Sequence, residues 1–261
     1  MPRKREKFDR IDVPRESPHK NVMGAVISGV VLVAAALVVG VVWNRVQLES
    51  RLGDTGLTSA VGAQSSTSVS DESYVASTDE FECILLFTAD SLDQTGATLN
   101  SARILALNKT QGTAILADVP LEATLSVQDS SVTLSDLYTS SGYAACVAPL
   151  SKATNVEFAH VVVATDDVLE EASSLAGSSA SELVSSASGL LSKIRTDMGA
   201  QELLSLAQTL SSVGRANLTR VDATLVPQTT TDDEGSVTET GSQVIDATQL
   251  DVALGLLVAA E

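Results

Sequence analysis

The sequence predicts an α/β protein: a layered α/β/α domain with a mixed central sheet, preceded by a single transmembrane helix. Two observations lead there. Val22 to Trp43, "VMGAVISGVVLVAAALVVGVVW", runs for 22 residues without a charge, and about 20 such residues cross a bilayer core as a helix. From Phe81 onward, short apolar runs alternate with segments of helical periodicity, the pattern of strands interleaved with helices.

Taken in order, residues 1–21 form a basic tail with seven Lys/Arg: Arg3, Lys4, Arg5, Lys7, Arg10, Arg15 and Lys20. Basic flanks stay cytoplasmic, so the N-terminus is expected inside and the C-terminal domain outside. Residues 22–43 are the membrane helix. The run exceeds the roughly 7–15 apolar residues of a cleaved signal peptide, and Trp43, Asn44 and Arg45 close it as an interface anchor would. Two small-x-x-x-small pairs, Ala25/Gly29 and Gly24/Ser28, suit helix–helix contact, so a homodimer through this segment is expected. Residues 44–79 are rich in Ser, Thr, Gly and Ala and read as a flexible linker. Residues 80–261 form one extracellular domain by size.

Within that domain "FECILLF", "ARILALN" and "TAILADV" are strands, the last two joined by the turn "NKTQG". A helix is expected around Ala144 to Leu150, and "EFAHVVVA" is a strand. Asp167 and Glu170 suit a capping box for a following helix. In "SELVSSASGLLSKIRTDM", Leu183, Ala187, Leu190, Leu191, Ile194 and Met198 share one helical face. "QELLSLAQTLSSVG" repeats that pattern, with Gly214 as its stop. "RVDATLV" is a strand, "PQTTTDDEGSVTETGSQ" a polar loop and "DATQLDVALGLLVAA" a final helix.

Charge excludes some functions. The chain has 16 Lys+Arg and 33 Asp+Glu; without the seven bases and four acids of residues 1–20, 9 and 29 remain. So acidic an exterior domain offers no basic footprint for nucleic acid and repels a bare polyanion, although a bound cation would reverse that locally. No G-x-S-x-G surrounds any serine, which leaves a serine-hydrolase reading without support. Cys83 and Cys146 lie on the oxidising side of the membrane. They are either one disulfide or two separate buried thiols.

The order of these elements resembles the LytR-CpsA-Psr family of bacterial cell-envelope proteins over roughly residues 80–225. "ILLFTADS" is similar to the family's first strand, which ends G-S-D-S, and keeps Asp90 and Ser91. "TLNS" stands at the family's R-S-D-T, so Thr98 replaces its arginine and Asn100 its aspartate. "ILADVPLEAT" resembles the strand ending S-I-P-R-D. Pro120 is kept, Leu121 replaces the arginine and Glu122 stands for the aspartate. "TLSDLY" keeps Tyr138 of K-I-N-A-A-Y and replaces its lysine with Thr133. "IRTDMGAQELLSLAQTL" is similar to a later family helix entry, and the family's arginine-rich stretch is not found between Gly177 and Arg195.

The resemblance implies a transfer of glycopolymer phosphate from a polyprenyl pyrophosphate carrier to peptidoglycan. Arginines would clamp the pyrophosphate and Mg²⁺ would be the cofactor of an active enzyme. It also implies candidate residues: Asp90 and Glu122 as catalytic carboxylates, Asp90 as metal ligand, and Asp90, Asn100, Arg103 and Tyr138 as ligand contacts. The residues themselves have plainer readings. Asp90 suits a turn, Glu122 a solvated loop, and Asp166 and Asp167 a helix start. Arg103 shares a strand face with Leu105 and Leu107, and His160 in "FAHVVVA" reads as a partner-satisfied strand histidine. With most of the clamp replaced, the expectation is a degenerate, weak or inactive relative that binds a lipid-linked or wall component. An active phosphotransferase and a pocketless tethered adaptor are the alternatives.

Deleting residues 22–43 should move the chain from the membrane pellet to the soluble fraction of a cell lysate. Persistence of the deletion variant in carbonate-washed membranes would contradict a single apolar anchor.

Overall fold

The computed structural model describes residues 52–65, 72–128, 130–166, 168, 193–213, 217–231 and 236–260. The chain divides into two compact units, residues 1–45 and 46–261, and every described residue lies in the second. The expected membrane helix, its small-residue pairs, the Asp167/Glu170 box and most of the helix over 181–198 lie outside the described residues.

The strands are β1 (Tyr74–Ala76), β2 (Phe81–Ala89), β3 (Leu99–Asn108), β4 (Thr113–Val119), β5 (Thr124–Val127), β6 (Ser130–Thr133), β7 (His160–Thr165), β8 (Ile194–Thr196), β9 (Leu218–Asp222), β10 (Leu225–Thr231), β11 (Val237–Ile245) and β12 (Leu257–Ala259). The helices are α1 (Thr55–Gly62), α2 (Leu134–Ser141), α3 (Tyr143–Thr154), α4 (Ala200–Val213) and α5 (Ala247–Leu254). Six strands form the central sheet in the order β8-β7-β2-β3-β4-β9. β2 runs parallel to β7 and β4 parallel to β9, while the β2–β3, β3–β4 and β7–β8 pairs are antiparallel. The sheet is mixed, as expected.

Alternation along the strands sorts side chains to two buried faces. Leu85, Phe87, Ile104, Ala117, Val161 and Val163 face a core shared with buried residues of α1, α2, α3 and α5. Ile84, Leu105, Leu107 and Ala114 face the other way, against Leu206, Leu210 and Val213 of α4. Helices therefore cover both faces.

The expected linker is the main departure. Residues 52–65 fold onto the domain. Asp54 caps α1 by accepting the N–H groups of Gly56 (2.8 Å) and Leu57 (3.1 Å). Leu57 is fully buried in the main core. Gln64 brackets Phe158, donating to its carbonyl (2.9 Å) and accepting its N–H (2.8 Å). Further along, β1 pairs with β12, which ties residues 74–76 to the chain's other end.

Three smaller expectations are corrected. The "polar loop" after Pro227 is a hairpin of β10 and β11, because threonine-rich backbone pairs readily where one face stays wet. Ile194 to Thr196 are the edge strand β8, not a helix end. The last helix stops at Leu254, with Gly255 in the left-handed conformation (φ 79°), and "LVA" continues as β12.

Leu57→Ala should lower unfolding stability by about 2–5 kcal/mol, as for other buried leucines. Urea titration of the full-length protein measures it. A loss under about 0.5 kcal/mol, the range of surface changes, would mean that residues 52–65 are a tether after all.

Candidate functional site

The candidate site lies at the end of the sheet where β2 stops and β3 begins. The β2–β3 register slips there, with Ser101 opposite Thr88 but Leu99 opposite Ala89, so Asn100 is the extra residue of a bulge. Asp90 follows directly. Its N–H donates to the Thr98 carbonyl (3.1 Å) and its Oδ1 accepts the Thr98 N–H (2.8 Å). Asp90 is therefore the staple of the 91–97 loop, with its carboxylate exposed at the rim. Asn100 donates to Asp166 at the end of β7, bridging over the tip of β2. The loop is pinned from below, where the Gly96 N–H donates to the Thr139 carbonyl (2.8 Å). Gly142, between α2 and α3, has φ 83°, and a Cβ there would stand 1.8 Å from the Gln94 carbonyl oxygen. Only glycine fits that corner.

Tyr138 lies beneath this loop on the main-core face, edge-on to Phe87 with centroids 5.4 Å apart. It is buried, and its hydroxyl has no hydrogen-bond partner. Burial pushes its pKa up; Cys146, Tyr143 and Asp90 push the same way and Arg195 pulls against them. Arg195 is the residue that sequence reasoning missed. On β8 it pairs with Val163, which pairs with Phe87, so all three share the Tyr138 face. Its guanidinium lies 5.3 Å from the Tyr143 ring centroid. One Nη donates to Asp54 Oδ2, while its Nε is buried without a partner. The Asp54 carboxyl is pushed up by burial, but the Arg195 hydrogen bond and charge and the α1 N–H groups outweigh this and hold it below its usual range.

The other candidates are dispersed. Arg103 lies on the opposite sheet face, where its Nε donates to Asp118 (2.5 Å) at its register position on β4. It does not join Asp90 and Tyr138. Glu122 is exposed in the turn after Pro120. Leu121, at the position the resemblance gives to an arginine, packs against the main core. Among the described residues no three His, Cys, Asp or Glu side chains converge to hold a metal. Cys83 and Cys146 are free buried thiols, both pushed up to about 12 by burial.

His160, at the far end of the sheet, is a partnered strand histidine. Its Nδ1 lies 2.7 Å from Asp197 Oδ2, and Asp197 Oδ1 accepts the Val161 N–H (2.8 Å). The Asp197 hydrogen bond raises the His160 pKa above its ordinary 6.5, burial opposes it, and the charges of Asp197, Glu82 and Glu202 add to the rise.

No family model matches the sequence, and no curated protein matches it. Solved structures do share the fold. Bacillus subtilis TagV, a LytR-CpsA-Psr family enzyme, superposes with a TM-score of 0.50 at 13% identity, covering 69% of this chain and 96% of that one. Protein gbs0355 from Streptococcus agalactiae gives 0.50 at 9% identity, covering 70% and 90%. The fold is LytR-CpsA-Psr-like.

Because the folded state raises the His160 pKa, protonated His160 stabilises the fold at low pH, and that contribution is lost as pH rises through the folded-state pKa. The melting-temperature gap between wild type and His160→Asn should be widest below pH 6.5 and narrow towards about pH 9. Thermal melts across this range measure it, and a gap independent of pH would contradict the Asp197 pairing.

Proposed function

We propose that this chain is a membrane-anchored, LytR-CpsA-Psr-like cell-envelope protein that binds a lipid-linked or cell-wall component without efficient phosphotransfer. One observation carries the reading. The guanidinium on the Tyr138 face is already committed to a carboxylate of its own chain, Arg195 to Asp54, and Arg103 is committed to Asp118 on the opposite face. A pyrophosphate would have to displace a carboxylate from a pair whose members are mostly buried, leaving that carboxylate unpaired. Each charge-assisted contact not made forfeits about 1.5–3 kcal/mol. Leu121 adds apolar packing where a cation would be needed.

Retained binding is favoured over a pocketless adaptor by a second observation. The Tyr138 hydroxyl and the Arg195 Nε–H are both buried donors without partners, and the two groups are electrostatically coupled. Idle donors of this kind suit acceptor oxygens of a sugar or phosphate better than an inert core. Within this reading the membrane helix holds the domain beside lipid-linked substrates, and Mg²⁺ matters only if transfer takes place.

The full-length protein, supplied with Mg²⁺, a polyprenyl pyrophosphate glycopolymer and peptidoglycan, should give no transfer above a protein-free control. Transfer that disappears in Asp90→Ala would overturn the reading. Asp54→Asn keeps the oxygen that caps α1 and removes the charge facing Arg195. It should bind inorganic pyrophosphate about tenfold more tightly than wild type in calorimetric titration. Equal affinities would show that the Asp54 pair is not what closes the site.

A further inference from the structure

A second site lies at the opposite end of the sheet, near the start of β2. A cavity of about 500 Å³ opens there, within the usual size of a small-molecule pocket, roughly 300–1,000 Å³. Its polar wall holds Asp251, Asn155, Asp79 and Glu157, its apolar wall includes Phe81 and Leu256, and among the described residues none that line it is Lys or Arg.

Asp251, on α5, is 2% exposed. Its Oδ2 accepts an N–H of Asn155 (2.8 Å), and its Oδ1 has no partner. An ionised carboxylate buried this way lacks about half its hydrogen bonds, and among the described residues it has no counter-ion. Asp79 adds a second carboxylate to the wall, its Oδ2 accepting from Asn108 (2.7 Å) and Gln111 (2.6 Å). The Asp251 pKa is raised to about 6 by burial, against the pull of the Asn155 hydrogen bond. At neutral pH it is still mainly charged.

The backbone points the same way. Asn155, Val156 and Glu157 follow the C-terminus of α3, and Leu256 and Leu257 follow the C-terminus of α5. Two helix C-termini converge on one cavity, each presenting the negative end of its dipole. Cys83 in the wall stays a neutral thiol, since burial and the Asp251 charge both push its pKa up.

We propose that this cavity binds a small organic cation, a primary ammonium on an apolar body, with Asp251 as its counter-ion. The ammonium supplies the positive charge that Asp251 in the cavity wall lacks, and the Phe81 and Leu256 side takes the apolar body. A neutral ligand would leave the carboxylate uncompensated, and an anion would meet it directly. The site shares no residue with the Asp90 end and does not depend on the reading given there.

Calorimetric titration of the detergent-solubilised full-length protein at pH 7.5 tests the proposal, with benzylamine as probe and benzyl alcohol and benzoate as neutral and anionic isosteres. Benzylamine should bind saturably and at least about tenfold more tightly than benzyl alcohol, with no heat from benzoate. Asp251→Asn should weaken benzylamine by about tenfold or more. Glu239→Gln, which removes a charge from the exposed β11 strand, should not. Ala159→Trp, which fills the cavity from its rim while leaving Asp251 in place, should also abolish binding. Absence of saturable benzylamine binding, equal affinity for benzyl alcohol, or unchanged affinity in either Asp251→Asn or Ala159→Trp would overturn it.

Discussion

The Arg195–Asp54 pair is the constraint on which the candidate site depends. Its two side chains are 19% and 13% exposed, so each charge has lost most of its water and needs the other. Asp54 also caps α1, and α1 delivers Leu57 to the core. Arg195 is the guanidinium beside Tyr143 and Tyr138. One ion pair thus attaches the segment entering the domain to β8 and neutralises the guanidinium on the Tyr138 face. A substitution that freed the guanidinium for a ligand would also loosen the attachment of residues 52–65. Asn at position 54 separates these effects, because it retains the capping oxygen and removes the charge.

The central fold was legible because its strands are buried on both faces. "FECILLF", "ARILALN", "TAILADV" and "FAHVVVA" are apolar runs with little competing helical pattern, and they became β2, β3, β4 and β7. The α4 stripe was equally clear. What escaped was structure defined by partners. The segment forming α1 contributes one fully buried leucine, Leu57, so its composition looks like a tether although a cap and a clamp at Gln64 hold it down. β8 is three residues long and exists through its pairing with β7. β10 and β11 bury little side chain and are defined by the hairpin ladder.

The site was less legible than the fold, for a related reason. Asp90 follows the end of β2, and Tyr138, on α2, packs edge-on against Phe87 of the same strand. Arg195 could not be placed from the sequence, because its segment fits a helical stripe as well as a strand, and its meaning depends on Asp54, 141 positions away. Arg103 shows the converse. Alternation put it on a face with Leu105 and Leu107, and the register confirms that it looks away from Tyr138. Nearness along the sequence to Asp90 and Asn100 did not place it in their site.

The distribution of charge gives the two ends of the sheet opposite requirements. With 29 acids against 9 bases beyond residue 20, a partly buried cation readily finds a carboxylate within the chain, and both Arg103 and Arg195 have done so. A buried carboxylate has far fewer cations to draw on. Asp251 has settled for the Asn155 amide and an unfilled oxygen, between two helix C-termini that increase the local negative potential. Anion recognition at the Asp90 end would therefore work against the chain's own pairing, whereas cation recognition at the opposite end of the sheet would complete a pairing that Asp251 lacks among the described residues.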